Sequence, residues 1–179
     1  MAAINFFMGM LCLGFVSWGS MPGSNFINTN KYTYGKSKNG TAIVDIARKE
    51  IGVRESAHNS GKRISEYLNY VGFKQAAPWC AGFVSWCHKE IGLAEPRSAW
   101  SPALFPLSRM ARDGLPGMVI GIYFPSLGRI GHVGLIERVQ GSLIFSIEGN
   151  TNVAGSREGD AVMRKIRHKR AIAKYADWL

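Results

Sequence analysis

The apolar positions of this chain repeat with two different periods, and the change falls near residue 117. In TAIVDIARKEIG (41–52), Ile43, Ile46, Ala47 and Ile51 recur at the spacing of one helix face. Thr41 stands where an N-cap belongs and Gly52 where a helix stops. After the polar turn ESAHNSG, a second helical pattern, KRISEYLNYVG, places Ile64, Tyr67, Leu68 and Val71 on one face. A third helix is predicted from about Trp79 to Ile91, closed by Gly92. Residues 94–116 are irregular, broken by Pro96, Pro102, Pro106 and Pro116. The period then becomes two. MVIGIYF (118–124), GHVGLIERV (131–139), SLIFSIE (142–148) and AVMRKIR (161–167) read as strands, with a tight hairpin at Gln140-Gly141. Helices followed by an antiparallel meander predict an α+β domain, its N-terminal helices packed on one side of a small antiparallel β-sheet.

The chain ahead of these elements differs in composition. The first 30 residues contain no Asp, Glu, Lys or Arg, and Ile4–Trp18 is mostly apolar. That run of 15 residues is short against the roughly 20 of a membrane span. Residues 1–19 therefore read as an export signal or N-terminal apolar anchor, although a signal's positive n-region is missing. A cleaved signal predicts a secreted, periplasmic or wall-associated protein with no stable membrane span. Residues 20–40, rich in Gly, Ser and Asn, read as a linker, which leaves 41–179 as the functional domain.

A length of 179 residues, 46% of them hydrophobic, fits one folded domain and excludes disorder. The formal charge of +10 calls for an anionic partner: nucleic acid, an anionic membrane surface or an acidic wall polymer. Without a nucleic-acid-binding motif or a basic stretch interleaved with aromatics, nucleic acid is set aside. The basic run RKIRHKRAIAK (164–174) suits attraction to a wall polymer, and equally suits a solvated edge strand kept from aggregating by its charge.

The chemistry centres on APWCAGFVSWC (77–87). Cys80 falls in the first turn of the third predicted helix, where unpaired N–H groups and the helix dipole favour a thiolate. Cys87 is two turns on, roughly 10 Å along the axis, too far for a disulfide with Cys80. It shares the apolar stripe of Phe83, Val84 and Ile91 and reads as core. Cys80, Cys87 and His88 lack the paired spacing of a zinc site, so no metal and no cofactor is expected.

A cysteine nucleophile needs a base, and the base an orienting group. Of the four histidines, His58 lies in a polar turn, His168 in the basic run, and His88 on Cys80's own helix, turned away from it. His132 opens a strand between Gly131 and Gly134, where a large group can approach. Glu148 and Asn150, in IEGNTN, share one face of the next strand, and the hairpin brings that strand beside His132's. Either can reach the imidazole. A strand that simply ends in an Asn/Gly turn accounts for Asn150 as well.

PWC, then GHVGLIE, then IEGNTN, in this order and spacing, resembles the CHAP family of cysteine amidohydrolases and peptidases and the related NlpC/P60 group. The resemblance covers roughly residues 41–170. It implies a papain-like fold, Cys80 as nucleophile, His132 as base, and Glu148 or Asn150 as the orienting or oxyanion group. It implies a peptidoglycan hydrolase that cleaves a wall amide, as a muramoyl-L-alanine amidase or a stem-peptide or cross-bridge endopeptidase, and that works as a monomer. Trp79 would then wall the substrate cleft, although a buried aromatic at a helix start is equally common. One departure is Gly117-Met118, where the family often has Gly-Asp. The competing classes are a catalytically inactive basic module that binds the wall, and a hydrolase of small amides.

Overall fold

A computed structural model describes residues 29–154 and 159–179 of the chain. The leader or anchor expected over 1–19, with Cys12, lies outside the described residues, as do residues 20–28. Three helices come first: α1 (Thr29–Lys49), α2 (Lys62–Tyr70) and α3 (Cys80–Glu90). Six strands follow: β1 (Met110–Ala111), β2 (Val119–Phe124), β3 (Arg129–Gln140), β4 (Leu143–Thr151), β5 (Ala161–His168) and β6 (Lys174–Ala176). They form one antiparallel sheet in the order β1-β6-β2-β3-β4-β5. The protein is an α+β domain. Among the described residues no helix is long and apolar enough to cross a membrane.

α1 corrects one expectation. It does not begin at Thr41 but runs back to Thr29, through residues whose composition reads as a linker. No proline interrupts 29–40, and the weak helix former Gly40 is buried by contact. A Cβ there would lie 2.7 Å from the Pro116 carbonyl oxygen.

The helical layer closes over Tyr67 of α2. Its ring stacks on Trp79 at 5.7 Å and meets Phe83 and Trp86 edge-on at 5.5 and 5.3 Å. Its hydroxyl donates to Glu50 at the end of α1 (2.5 Å), and Arg63 donates to the same carboxylate. The main core packs these helices against Val133, Leu135 and Ile147 of the sheet. A second cluster, Met118, Ile120, Ile136, Ile144 and Ile172, contains no helix residue. The alternation of Leu135 with Ile136 places the two clusters on opposite faces of the sheet. Glu137, buried on β3, is held by Arg164 of β5 and Arg48 of α1. The Arg164 hydrogen bonds outweigh burial and pull its carboxyl down to about 2.

The basic run occupies the edge strand β5 and the turn after it. It is not simply a solvated face. Arg164 and Arg167 are engaged with buried carboxylates, and Lys165 donates to the carbonyls of Asn152 and Val153.

Candidate active site

Three elements meet at Cys80. The residue opens α3, directly after Trp79, and is 4% exposed. The start of α3 is fixed from behind by the end of β4. There, β4 lies so close that a Cβ on Gly149 would stand 2.7 Å from the Trp79 ring and 2.9 Å from Phe83 Cβ. The register between β4 and β5 slips between Glu148 and Thr151, and within that irregularity Asn150 adopts φ 53°. Its side-chain oxygen accepts from the Trp79 N–H at 3.3 Å, and its amide donates to the Gly159 carbonyl at 2.6 Å and Asn59 at 3.4 Å. Asn150 thus ties down the helix that carries the thiol. It makes no hydrogen bond to the imidazole, because the left-handed backbone sends its side chain elsewhere.

His132 stands on β3 opposite Ile122 of β2 and is 2% exposed. The β3–β4 ladder pairs Leu135 with Ile147, so one further step sets Gly134 against Glu148, diagonal to His132. A Cβ on Gly134 would lie 2.5 Å from Glu148 Cγ, so the glycine makes room for the carboxylate. His132 Nε2 is 2.9 Å from Glu148 Oε2. Of the two orienting candidates, Glu148 is the one that reaches the ring. The other ring nitrogen, Nδ1, is buried without a hydrogen-bond partner, and the Cys80 thiol is the second group that acts on this imidazole.

Glu148 is fully buried, and a buried carboxylate requires partners. Arg167 supplies two hydrogen bonds, Nε to Oε1 at 2.6 Å and Nη2 to Oε2 at 2.5 Å, and the Ser146 hydroxyl donates to Oε1 at 2.6 Å. Sequence reasoning missed both. Arg167 was hidden among its basic neighbours; the signal was the acidic residue itself, which in an apolar strand demands a cation from the strand beside it. Ser101 was missed too. It is buried, and its hydroxyl lies 3.5 Å from Cys80 Sγ.

The electrostatics follow from these contacts. Burial by itself raises the Cys80 thiol, but the neighbouring His132 imidazole, with the Ser101 hydroxyl and the Val133 backbone, outweighs it and brings the thiol below its ordinary value. Burial by itself lowers His132, but Cys80 and Glu148 reverse this and lift it to about 9. Glu148 is pulled down to about 2, because Arg167 and His132 outweigh desolvation. These contacts favour ionisation of the thiol and protonation of the imidazole beside it, with the Glu148 carboxylate and the Arg167 guanidinium behind them.

The remaining candidates separate cleanly. Cys87 is a free, fully buried thiol in the core, pushed well above its ordinary value by desolvation. His88 is buried on α3 with Nδ1 2.8 Å from the Val84 carbonyl, and burial lowers it to about 4. His58 and His168 are exposed. Trp79 does not wall a cleft. It is fully buried, stacked on Tyr67, and donates Nε1–H to Glu55 at 2.7 Å, because so large a ring is worth most inside the core. The cleft that reaches Cys80, about 290 Å³, is walled by Trp100 and Phe73 instead. Among the described residues no group of three or more His, Cys, Asp or Glu side chains is placed to hold a metal ion.

No protein-family model matches the chain, and no curated protein matches it. Among solved structures it is similar to the crystal structure of Ly7917, with a TM-score of 0.48 and 16% identity over 76% of this chain and 60% of that one. It is also similar to Ly7917 with the hydrolysing product of MDP, with a TM-score of 0.46 and 12% identity over 76% and 61% of the two chains. The chain thus spans about 60% of the length of these structures. A likeness of this degree carries no argument about this chain, and the chemistry of the site rests on the side chains described above.

Proposed function

We propose that the chain is a cysteine hydrolase that cleaves an amide bond of peptidoglycan, with the papain-like arrangement of the CHAP and NlpC/P60 families. The observation that carries this reading is the buried row Cys80–His132–Glu148, backed by Arg167, at the floor of an open cleft. Cys80 Sγ attacks the amide carbonyl carbon, and the carbonyl π pair moves onto oxygen. The Cys80 backbone N–H, at the first position of α3, lacks a helical acceptor and donates to that oxyanion. His132 gives its Nδ1 proton to the leaving nitrogen as the C–N bond breaks, leaving a thioester. The neutral imidazole then takes a proton from water, which attacks the thioester and frees the thiolate. Glu148 holds the Nε2–H throughout and offsets the charge of the imidazolium.

The wall as substrate is supported by the resemblance, by the export-like leader and by the formal charge of +10. The same features support a secreted, periplasmic or wall-associated location. The test is digestion of purified peptidoglycan by the full chain, with mass spectrometry of the released muropeptides. The expected result is one new amine terminus and its matching carboxylate, either at the muramoyl–L-alanine bond or within the peptide. Walls that bind the protein yet yield no new termini would instead support the wall-binding module.

A further inference from the structure

The cleft above Cys80 contains a charged group that the proposed chemistry does not use. Arg129 opens β3, three residues before His132, and lines the cleft with Trp100 and Phe73. Its guanidinium lies over the Trp100 ring, 3.9 Å from the centroid, and Nη1 donates to the Ile130 carbonyl at 2.9 Å. These two contacts fix the plane of the fork while spending one of its five N–H donors. Among the described residues Arg129 has no carboxylate partner, unlike Arg48, Arg54, Arg63, Arg164 and Arg167. Among the described residues no Asp or Glu lines the cleft. Its charge therefore serves none of the fold's ion pairs. The rings on either side of it, Trp100 at 52% and Phe73 at 47% exposed, leave apolar surface open to a ligand.

Resting on the hydrolase reading above, we infer that Arg129, stacked on Trp100, is a specificity determinant that binds a free carboxylate of the substrate close to the scissile amide. A pre-oriented guanidinium fits a carboxylate through two parallel hydrogen bonds, whereas a carboxamide in the same place offers one acceptor oxygen and no charge.

The test uses one soluble muropeptide in two forms, its stem-peptide carboxylates free or converted to carboxamides. For the wild-type chain, kcat/KM is expected to favour the free acid by about 10–100-fold, chiefly through KM. Arg129→Gln is expected to bring that preference to within about twofold, and Arg129→Lys to retain part of it through charge alone. The rate at which iodoacetamide alkylates Cys80 should be the same in all three proteins, which separates lost recognition from a damaged centre. A wild-type chain that cleaves both forms equally well overturns the carboxylate site and leaves the hydrolase reading standing. A strong acid preference that survives Arg129→Gln also overturns it. A wild-type chain that cleaves neither form overturns the hydrolase reading and this inference with it.

Discussion

Cys80→Ala is expected to lower wall-amide hydrolysis by on the order of 10⁴-fold or more, while the protein stays folded. The thiol is the one group in the cleft that combines a lowered proton affinity with a position at the start of a helix. Without it no thioester forms, and His132 and Glu148 have nothing to activate but water. Cys80→Ser is expected to be nearly as damaging, since a serine hydroxyl beside an imidazolium does not ionise as the thiol does. The stability cost is small, because the side chain removed is small. Cys87→Ala is the matching control. That thiol is fully buried in the helical core and lines no part of the cleft, so the change costs about 1–2 kcal/mol of stability and leaves turnover near wild type. Assay on peptidoglycan beside thermal unfolding reads both quantities. Equal losses of activity in the two variants would contradict the assignment.

The second large effect belongs to Glu148. Glu148→Gln removes the charge that supports the imidazolium and strips Arg167 of its carboxylate. Turnover is expected to fall about 10²–10⁴-fold. Breaking a buried pair from one side costs about 3–5 kcal/mol, a fall in Tm on the order of 10 °C for a chain of this size. The two losses can be separated. Replacing both partners, Glu148→Gln with Arg167→Met, is expected to recover much of the stability, since no uncompensated charge remains, yet none of the activity. Activity that returned along with stability would make Glu148 a structural residue alone.

Hydrophobic period carried most of the fold. The strands predicted from alternation match β2, β3 and β5 to within two residues at each end, and α2 and α3 lie where the 3.6-residue pattern puts them. β4 runs on past its expected end, through Gly149-Asn150 to Thr151. β1 and β6, two and three residues long, are too short to show a period, and their pairing is decided by the return of the chain end to β2. At the site, sequence order was enough to bring Cys80, His132 and Glu148 together. It did not separate Glu148 from Asn150, because alternation gives a face and not a direction; a left-handed backbone at one residue decided it. Arg167 reaches Glu148 from the neighbouring strand and Arg129 stacks on Trp100 of a distant loop, and nothing local to either marks these contacts, whereas Ser146 lies two residues from Glu148 on the same strand. Trp79 lies in the core and not at the cleft for a related reason: Gly149 of β4 packs directly on its ring.

The central claim is that Cys80 is a thiolate held by His132. The pH dependence of iodoacetamide alkylation tests it directly, with peptide mass spectrometry to resolve Cys80 from Cys87. The Cys80 rate should rise at a pH below the ordinary thiol value of 9.0, while Cys87 stays silent. Hydrolysis, which also needs the His132 proton, should decline as pH rises through about 9. In His132→Ala the alkylation curve should move up to, or past, the ordinary thiol value. A Cys80 curve that rises only at that value in the wild-type chain, and does not move when His132 is removed, would contradict the account.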